Sequence, residues 1–184
     1  MVISKLVTIF AAKITVRENE GDVSPLFLYF KMNQEKVQNL VTEALEENKS
    51  LFLISLQFLA NNKIKLVVDG DTGVSLKEIV RISRHVEHNL DREEEDFALE
   101  VTSPDIKEPL ITQRQYLKNI SRILKVKTEE QEYEGTLTKA NDHEIVLEWK
   151  AREPKPIGKG KVTVEKMATV AYKDIIEAKV KIVF

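Results

Sequence analysis

The chain of 184 residues carries 28 Lys/Arg against 30 Asp/Glu, a net charge of -2, with no cysteine. That length holds one ordinary domain or two small ones, and the lack of cysteine excludes a disulfide framework and any thiolate metal site. No apolar run approaches the roughly 20 residues a membrane helix needs, so the sequence predicts a soluble, intracellular protein.

Near the N-terminus an apolar run from Leu6 to Ala12 lies between Lys5 and Lys13. A secretory signal needs a longer apolar core and a small-residue cleavage site. From Asn33 the pattern turns helical: Val37, Leu40, Val41, Ala44 and Leu45 fall on one face, and Glu35, Glu43, Glu46 and Glu47 on the other. Leu51 to Ala60 is a nearly continuous apolar run, Asn61-Asn62 marks a tight turn, and Ile64, Leu66 and Val68 alternate toward Asp69. Together these predict a hairpin.

Gly70-Asp71-Thr72-Gly73 ends that hairpin, and Ser75 with Glu78 forms a capping-box signature, with Val74 and Ile79 placed as a hydrophobic staple. The predicted helix runs through Ile79, Val80, Ile82 and Val86 to Leu90. The acidic run Asp91 to Asp96 reads as a solvated loop. Phe97, Leu99 and Val101 then point one way and Ala98, Glu100 and Thr102 the other, the alternation of a half-buried strand. Helix, strand, strand, helix, strand predicts a three-stranded sheet with both helices on one face, its other face partly free for docking.

Ser103-Pro104 stops the strand, since proline offers no N–H to a ladder and drives its predecessor into extended geometry. Pro109 repeats the punctuation, and between the prolines lie Asp105, Lys107 and Glu108, with Ile106 and Leu110 as apolar anchors. This stretch, 104–110, reads as a short, stiffened linker. Beyond it, Gln113 to Asn119 predicts a short helical turn. Five strands follow: around Leu124 and Val126, around Tyr133 to Lys139, around Ile145 to Trp149, and at 162–172 and 176–184. Five short strands in so few residues suggest a small barrel, with Tyr133 and Trp149 in its core.

The run Leu99-Glu100-Val101-Thr102-Ser103-Pro104, completed by Pro109-Leu110, resembles the signature of the ribosome maturation factor RimP family. That family's usual form is Leu-Glu-Val-Ser-Ser-Pro-Gly-Leu-Asp-Arg-Pro-Leu. Here Asp105 stands for the glycine, Lys107 for the aspartate and Glu108 for the arginine, and Phe97 replaces a frequent tyrosine. The resemblance begins after Met32, which makes Met32 the expected native start and 1–31 an extension. It implies an α+β protein: a small N-terminal α/β domain at 32–103, a three-stranded sheet with two helices, then the linker, then a C-terminal SH3-like all-β barrel at 111–184.

It also implies a non-enzymatic, cytoplasmic assembly factor, without cofactor, that binds the immature small (30S) ribosomal subunit and its ribosomal protein twelve. A monomer in solution is expected. Residues 32–110 hold 9 basic against 16 acidic side chains and residues 111–184 hold 15 against 11, which suits an acidic module that meets a basic partner and a mildly basic one that lies near ribosomal RNA. Lys150, Arg152, Lys155, Lys159 and Lys161 form the densest basic segment, within a loop rich in proline and glycine from Arg152 to Lys161. They are the candidate RNA contacts; a solvated hairpin tip is the alternative. A free-standing RNA-binding module working through the barrel is the competing function.

Other motifs carry less. Gly70 to Gly73 has the GxxG spacing of a KH loop but joins a strand to a helix, so it reads as a turn. A calcium loop from Asp69 would place its bidentate glutamate at Val80. His85 and His88 lack the further ligands a metal site needs, and His143 has no evident partner. No phosphate-binding loop, nucleophile elbow or dinucleotide fingerprint is present.

Overall fold

The computed structural model describes residues 25–91, 96–155 and 159–182, with side chains from residue 34 onward. The readings of the Leu6 to Ala12 run, of most of the 1–31 extension, of the centre of the acidic run and of the final two residues lie outside the described residues. The chain divides into two compact units between Ser103 and Pro104.

In the first unit α1 spans Pro25–Glu46. Val37, Leu40, Val41 and Ala44 are buried along one face, while Glu35, Glu43, Glu46 and Glu47 are exposed. The helix starts eight residues before the predicted Asn33. Proline is at home in a first turn, but the residues after Pro25 are apolar on every side, so no 3.6-residue stripe announces a helix there.

β1 (Leu51–Leu59) pairs antiparallel with β2 (Lys63–Gly70), and β2 pairs in parallel with β3 (Ala98–Thr102), in the order β1-β2-β3. Between β2 and β3 the chain crosses over through α2 (Leu76–Asn89). One core joins the buried residues of α1, Ile82 and Val86 of α2, and Leu51, Ile64, Leu66 and Val68 of the sheet, so both helices cover the same face. Each large side chain fully buried there is worth roughly 1.5–3 kcal/mol. Of the apolar residues along the predicted helix, Val80 is exposed.

A β-bulge between Leu53 and Ser55 inserts one extra residue into β1. Leu51 and Leu53 before it, and Leu56 after it, therefore all pack toward the helices. Phe52 and Ile54 point the opposite way and form a separate buried cluster with Val67. The sheet's second face is thus not a bare docking surface, and both clusters together explain why β1 reads as an unbroken apolar run.

The second unit opens with the segment 104–110. Asp105 Oδ1 accepts from the Lys107 N–H at 2.8 Å, and the Asp105 carbonyl from the Glu108 N–H at 3.0 Å, which makes a turn. The Leu110 N–H donates to the Ala178 carbonyl at 2.8 Å and Leu110 packs on the second core, whereas Ile106 is exposed and anchors nothing. α3 (Gln113–Lys118) follows, its start held by Gln115 Oε1, which accepts from the Ile111 and Thr112 N–H groups at 2.7 and 3.1 Å.

β4 (Ile123–Thr128), β5 (Glu132–Ala140), β6 (Glu144–Pro154), β7 (Lys161–Ala171) and β8 (Ile175–Val180) make one antiparallel sheet in the order β7-β6-β5-β4-β8, with a 3-10 turn at Tyr172–Asp174. The hydrogen-bonded sheet is open between β7 and β8, so it is not the closed barrel that strand count suggested. Leu124, Val126, Leu137, Ile145, Leu147, Val170 and Ala178 are buried on its inner face with Tyr116 of α3. Tyr133 and Trp149 are half-buried against this core, edge-to-face at 6.0 Å.

Candidate nucleic-acid interface

The signature residues form one edge of the first unit and the entry to the second. Phe97, Leu99 and Val101 pack on the first core. Glu100 lies on the opposite face and pairs with Lys63 at 2.7 Å, which holds its carboxyl below the ordinary carboxylate range. Thr102 Oγ1 donates to the Ser103 carbonyl. Pro104 is half-buried, Ser103 and Pro109 are exposed, and Leu110 is tied to β8. These are roles in folding and chain direction, with no convergent polar groups among them.

The five basic candidates sit on β6, β7 and the connection between them. The segment read as a loop from Arg152 is shorter than predicted: β6 continues through Arg152 and Glu153 to Pro154, and β7 begins at Lys161. Pro154 occupies the last pair of the ladder, where a missing N–H costs least. β5 pairs with β6 only as far as Glu148, so from Trp149 onward β6 is hydrogen-bonded to β7 alone and the two strands form a ribbon. The ribbon is closed by the Lys155 N–H, which donates to the Gly160 carbonyl at 3.1 Å.

Directly opposed residues share a face. The pairs Lys150 with Glu165, Arg152 with Thr163 and Pro154 with Lys161 place Lys150, Arg152 and Lys161 on one face. Trp149, Ala151, Glu153, Val162, Val164 and Lys166 occupy the other. Lys150 Nζ lies 3.6 Å from Glu165 Oε1, and Lys166 pairs with Glu153. Arg152, Lys155, Lys159 and Lys161 are exposed and make no ion pair with a described residue. The structure thus separates one tethered cation from four that are available to an anion, a distinction set by register and invisible in the sequence.

A shallow groove of about 600 Å³ runs along the same outer face, lined by Thr136, Thr138, Glu148, Lys150, Glu165 and Met167 among others. Thr138 Oγ1 donates to Glu148 Oε1 at 3.2 Å, and Met167 is largely exposed.

The remaining candidates resolve as local structure. The Gly73 N–H donates to the Gly70 carbonyl at 2.9 Å, and a Cβ on Gly70 would lie 2.5 Å from the Gly73 carbonyl oxygen, so the glycines serve a tight turn. Ser75 Oγ accepts from the Glu78 N–H at 3.3 Å, half of the predicted capping box; the Glu78 carboxylate turns instead to Arg81. His88 is exposed, while His85 is half-buried with Nε2 3.5 Å from a Glu43 carboxylate oxygen. Among the described residues no three His, Cys, Asp or Glu side chains cluster as metal ligands, and no helix is long and apolar enough to cross a membrane.

Residues 40–107 match the family described as the RimP N-terminal domain. The chain is 59% identical over 153 residues to the ribosome maturation factor RimP of Christiangramia forsetii, an alignment covering 83% of this chain and all of that protein. It is 50% identical over 151 residues to the ribosome maturation factor RimP of Flavobacterium psychrophilum, covering 82% of this chain and 98% of the relative. The protein of the same description from Chlorobium phaeobacteroides is 30% identical over 125 residues, 60% of this chain and 71% of its own. On this evidence the chain belongs to the ribosome maturation factor RimP family.

Proposed function

We propose that this protein is a non-enzymatic, cytoplasmic ribosome assembly factor that acts on the small (30S) subunit, binding the immature particle and its ribosomal protein twelve. The observation that carries this reading is the match along the whole length of a relative named as a ribosome maturation factor. The two units act as an N-terminal α/β domain at 32–103 and an SH3-like module at 111–184, joined by the linker 104–110. The parallel β2-β3 pair under two helices supports the first assignment, and the five-stranded antiparallel sheet with a 3-10 turn before its last strand supports the second.

The division of charge supports a division of labour. An excess of acidic residues in the first module suits a basic ribosomal protein, and the exposed cations Arg152, Lys155, Lys159 and Lys161 of the β6–β7 ribbon suit ribosomal RNA. Two modest contacts joined through a short linker bind by avidity and release when either is lost. The protein works as a monomer.

Co-sedimentation of the intact protein with mature small subunits, large subunits and naked RNA tests this. Selective binding to small subunits, weakened by acidic substitutions in the ribbon and by neutralising the acidic residues of α1, is the expected result. Equal binding to all three would refute it. The exposed cations also favour a second reading, a general RNA-binding module acting through the second unit, which predicts that same indifference together with a steep salt dependence.

A further inference from the structure

We infer that the end of the β6–β7 ribbon binds double-stranded RNA through its phosphates, across the minor groove and without reading sequence. This rests on the RNA-contacting part of the function proposed above and goes further, since it names the form of RNA.

The occupant follows from the chemistry of the face. Arg152 on β6 and Lys161 on β7 share a face, with Lys155 just beyond the end of β6 and Lys159 just before β7; none is committed to a described carboxylate, and the nearby Glu153 is paired with Lys166. An exposed cluster of cations so placed attracts a polyanion. An acidic protein segment fits less well, because protein interfaces are organised around buried aromatic or aliphatic anchors, and among the strand residues between Lys150 and Lys161 this face offers Pro154 and Thr163 beside the cations.

The choice between single and double strand follows from what is missing. Single-stranded RNA is held by stacking its bases on exposed aromatic rings. Residues 150–166 contain no aromatic, and Trp149 lies on the other face, half-buried against Tyr133. A face with cations and no rings gains nothing from splayed bases and everything from a regular array of phosphates.

Groove geometry selects the approach. The deep, narrow major groove of an A-form duplex excludes side chains, whereas its minor groove is wide and shallow. A ribbon two strands wide, its backbones about 4.8 Å apart, can lie over that groove with β6 and β7 directing cations toward phosphates on either side.

The test uses the full chain and measures fluorescence anisotropy with a duplex RNA of about 16 base pairs, each of its strands alone, and two duplexes of unrelated sequence, from about 50 to about 200 mM salt. The expected result is binding to all three duplexes within about two-fold of one another and at least about ten-fold tighter than to either strand. The variant R152E/K155E/K159E/K161E should lose at least about ten-fold at low salt, with its salt slope reduced by about 3.6, since each of four phosphate contacts contributes about 0.9. All four sites are exposed, so circular dichroism should show an unchanged fold.

Equal or tighter binding to single strands, discrimination among the duplexes, or an unchanged variant would overturn the inference. A polyglutamate peptide that competes as well as duplex RNA would overturn it in favour of a protein partner. Selective co-sedimentation with small subunits alongside any of these results would leave the assembly function standing, whereas duplex binding without subunit selectivity would sink that function and leave this inference intact.

Discussion

Arg81 reaches from α2 to the carbonyl oxygen of Ala44 near the end of α1, its Nη2 donating at 2.9 Å. The same guanidinium meets Glu47 Oε2 at 2.7 Å and Glu78 Oε2 through Nη2 at 2.8 Å and Nε at 3.0 Å. It thereby satisfies one of the carbonyls a helix end leaves without a partner, and places a cation where the α1 dipole is negative. Only a planar fork serves all these acceptors at once.

Arg81→Ala should therefore destabilise the protein by about 1–2 kcal/mol, the cost of one charge-assisted hydrogen bond at a half-buried site plus weak ion pairs. Arg81→Lys should recover less than half of that. Urea unfolding of both variants measures it, and a loss within error of zero would mean that the network only decorates the surface.

The same network has a pH signature. The Arg81 guanidinium holds the Glu78 carboxyl below its ordinary value of 4.5. A lowered folded-state pKa gives stability that is present above the unfolded value and lost as pH falls through the folded one. Glu78→Gln should flatten the dependence of stability on pH below about 4.5 while changing it little between pH 6 and 8. Equal slopes in the acidic range for variant and parent would contradict the assignment.

Asn61 and Asn62 form the β1–β2 turn with φ of 59° and 53°, the left-handed region that asparagine tolerates and glycine prefers. They are not equivalent. Asn62 Nδ2 also donates to the Asp96 carbonyl at 3.1 Å, and the Asn62 carbonyl accepts from the Ala98 N–H, which ties the turn to the start of β3. Asn61→Gly should be neutral within about 0.5 kcal/mol, whereas Asn62→Gly should cost about 0.5–1.5 kcal/mol through the lost hydrogen bond. Thermal melts of the pair decide, and equal effects would show that Asn62 acts through its backbone alone.

Much of this fold is legible because local rules and tertiary packing agree. The alternation of Leu99 and Val101, the stripe from Val37 to Ala44 and the cap at Ser75 each survive in the structure. Two of the failures share a cause. The bulge beside Ile54 and the strand residues Arg152 to Pro154 depend on a partner strand, and composition near a proline reads as loop whether or not a neighbour supplies a ladder. The cations of the ribbon were visible as cations. Which of them face together, and that Glu165 holds Lys150, depends on the β6–β7 register, which no single strand encodes.

Gly135 shows the same dependence on a neighbour. A Cβ there would lie 2.9 Å from the Glu148 carbonyl oxygen and 3.3 Å from Trp149 Cε3, because the β6 backbone and the indole cross the space a side chain would fill. Gly135→Ala should destabilise the second unit by about 1–3 kcal/mol. Combining it with Trp149→Phe should not restore stability, since the tighter clash is with backbone. Recovery in the double variant would place the constraint on the ring instead.

Tyr116 and Tyr172 meet edge-on at 5.1 Å, and burial raises the pKa of both hydroxyls. Burial, with a smaller contribution from Tyr172, pushes Tyr116 up to about 12. The hydroxyl of Tyr172 is buried with no hydrogen-bond partner among the described residues. For Tyr116 the folded state holds its proton more tightly than the unfolded chain, so its contribution is complete below the ordinary tyrosine pKa of 10 and is lost as pH rises from 10 toward 12. Tyr116→Phe should keep the ring contact and weaken the fall in stability across that window. Tyr172→Phe should leave stability at pH 7 unchanged or raise it by up to about 1 kcal/mol, because it removes a buried hydroxyl that nothing satisfies. Denaturation at pH 7 and pH 10.5, followed by ultraviolet titration of the tyrosinates, separates the two. A loss of more than about 1 kcal/mol in Tyr172→Phe at pH 7 would show that its hydroxyl is bonded in solution.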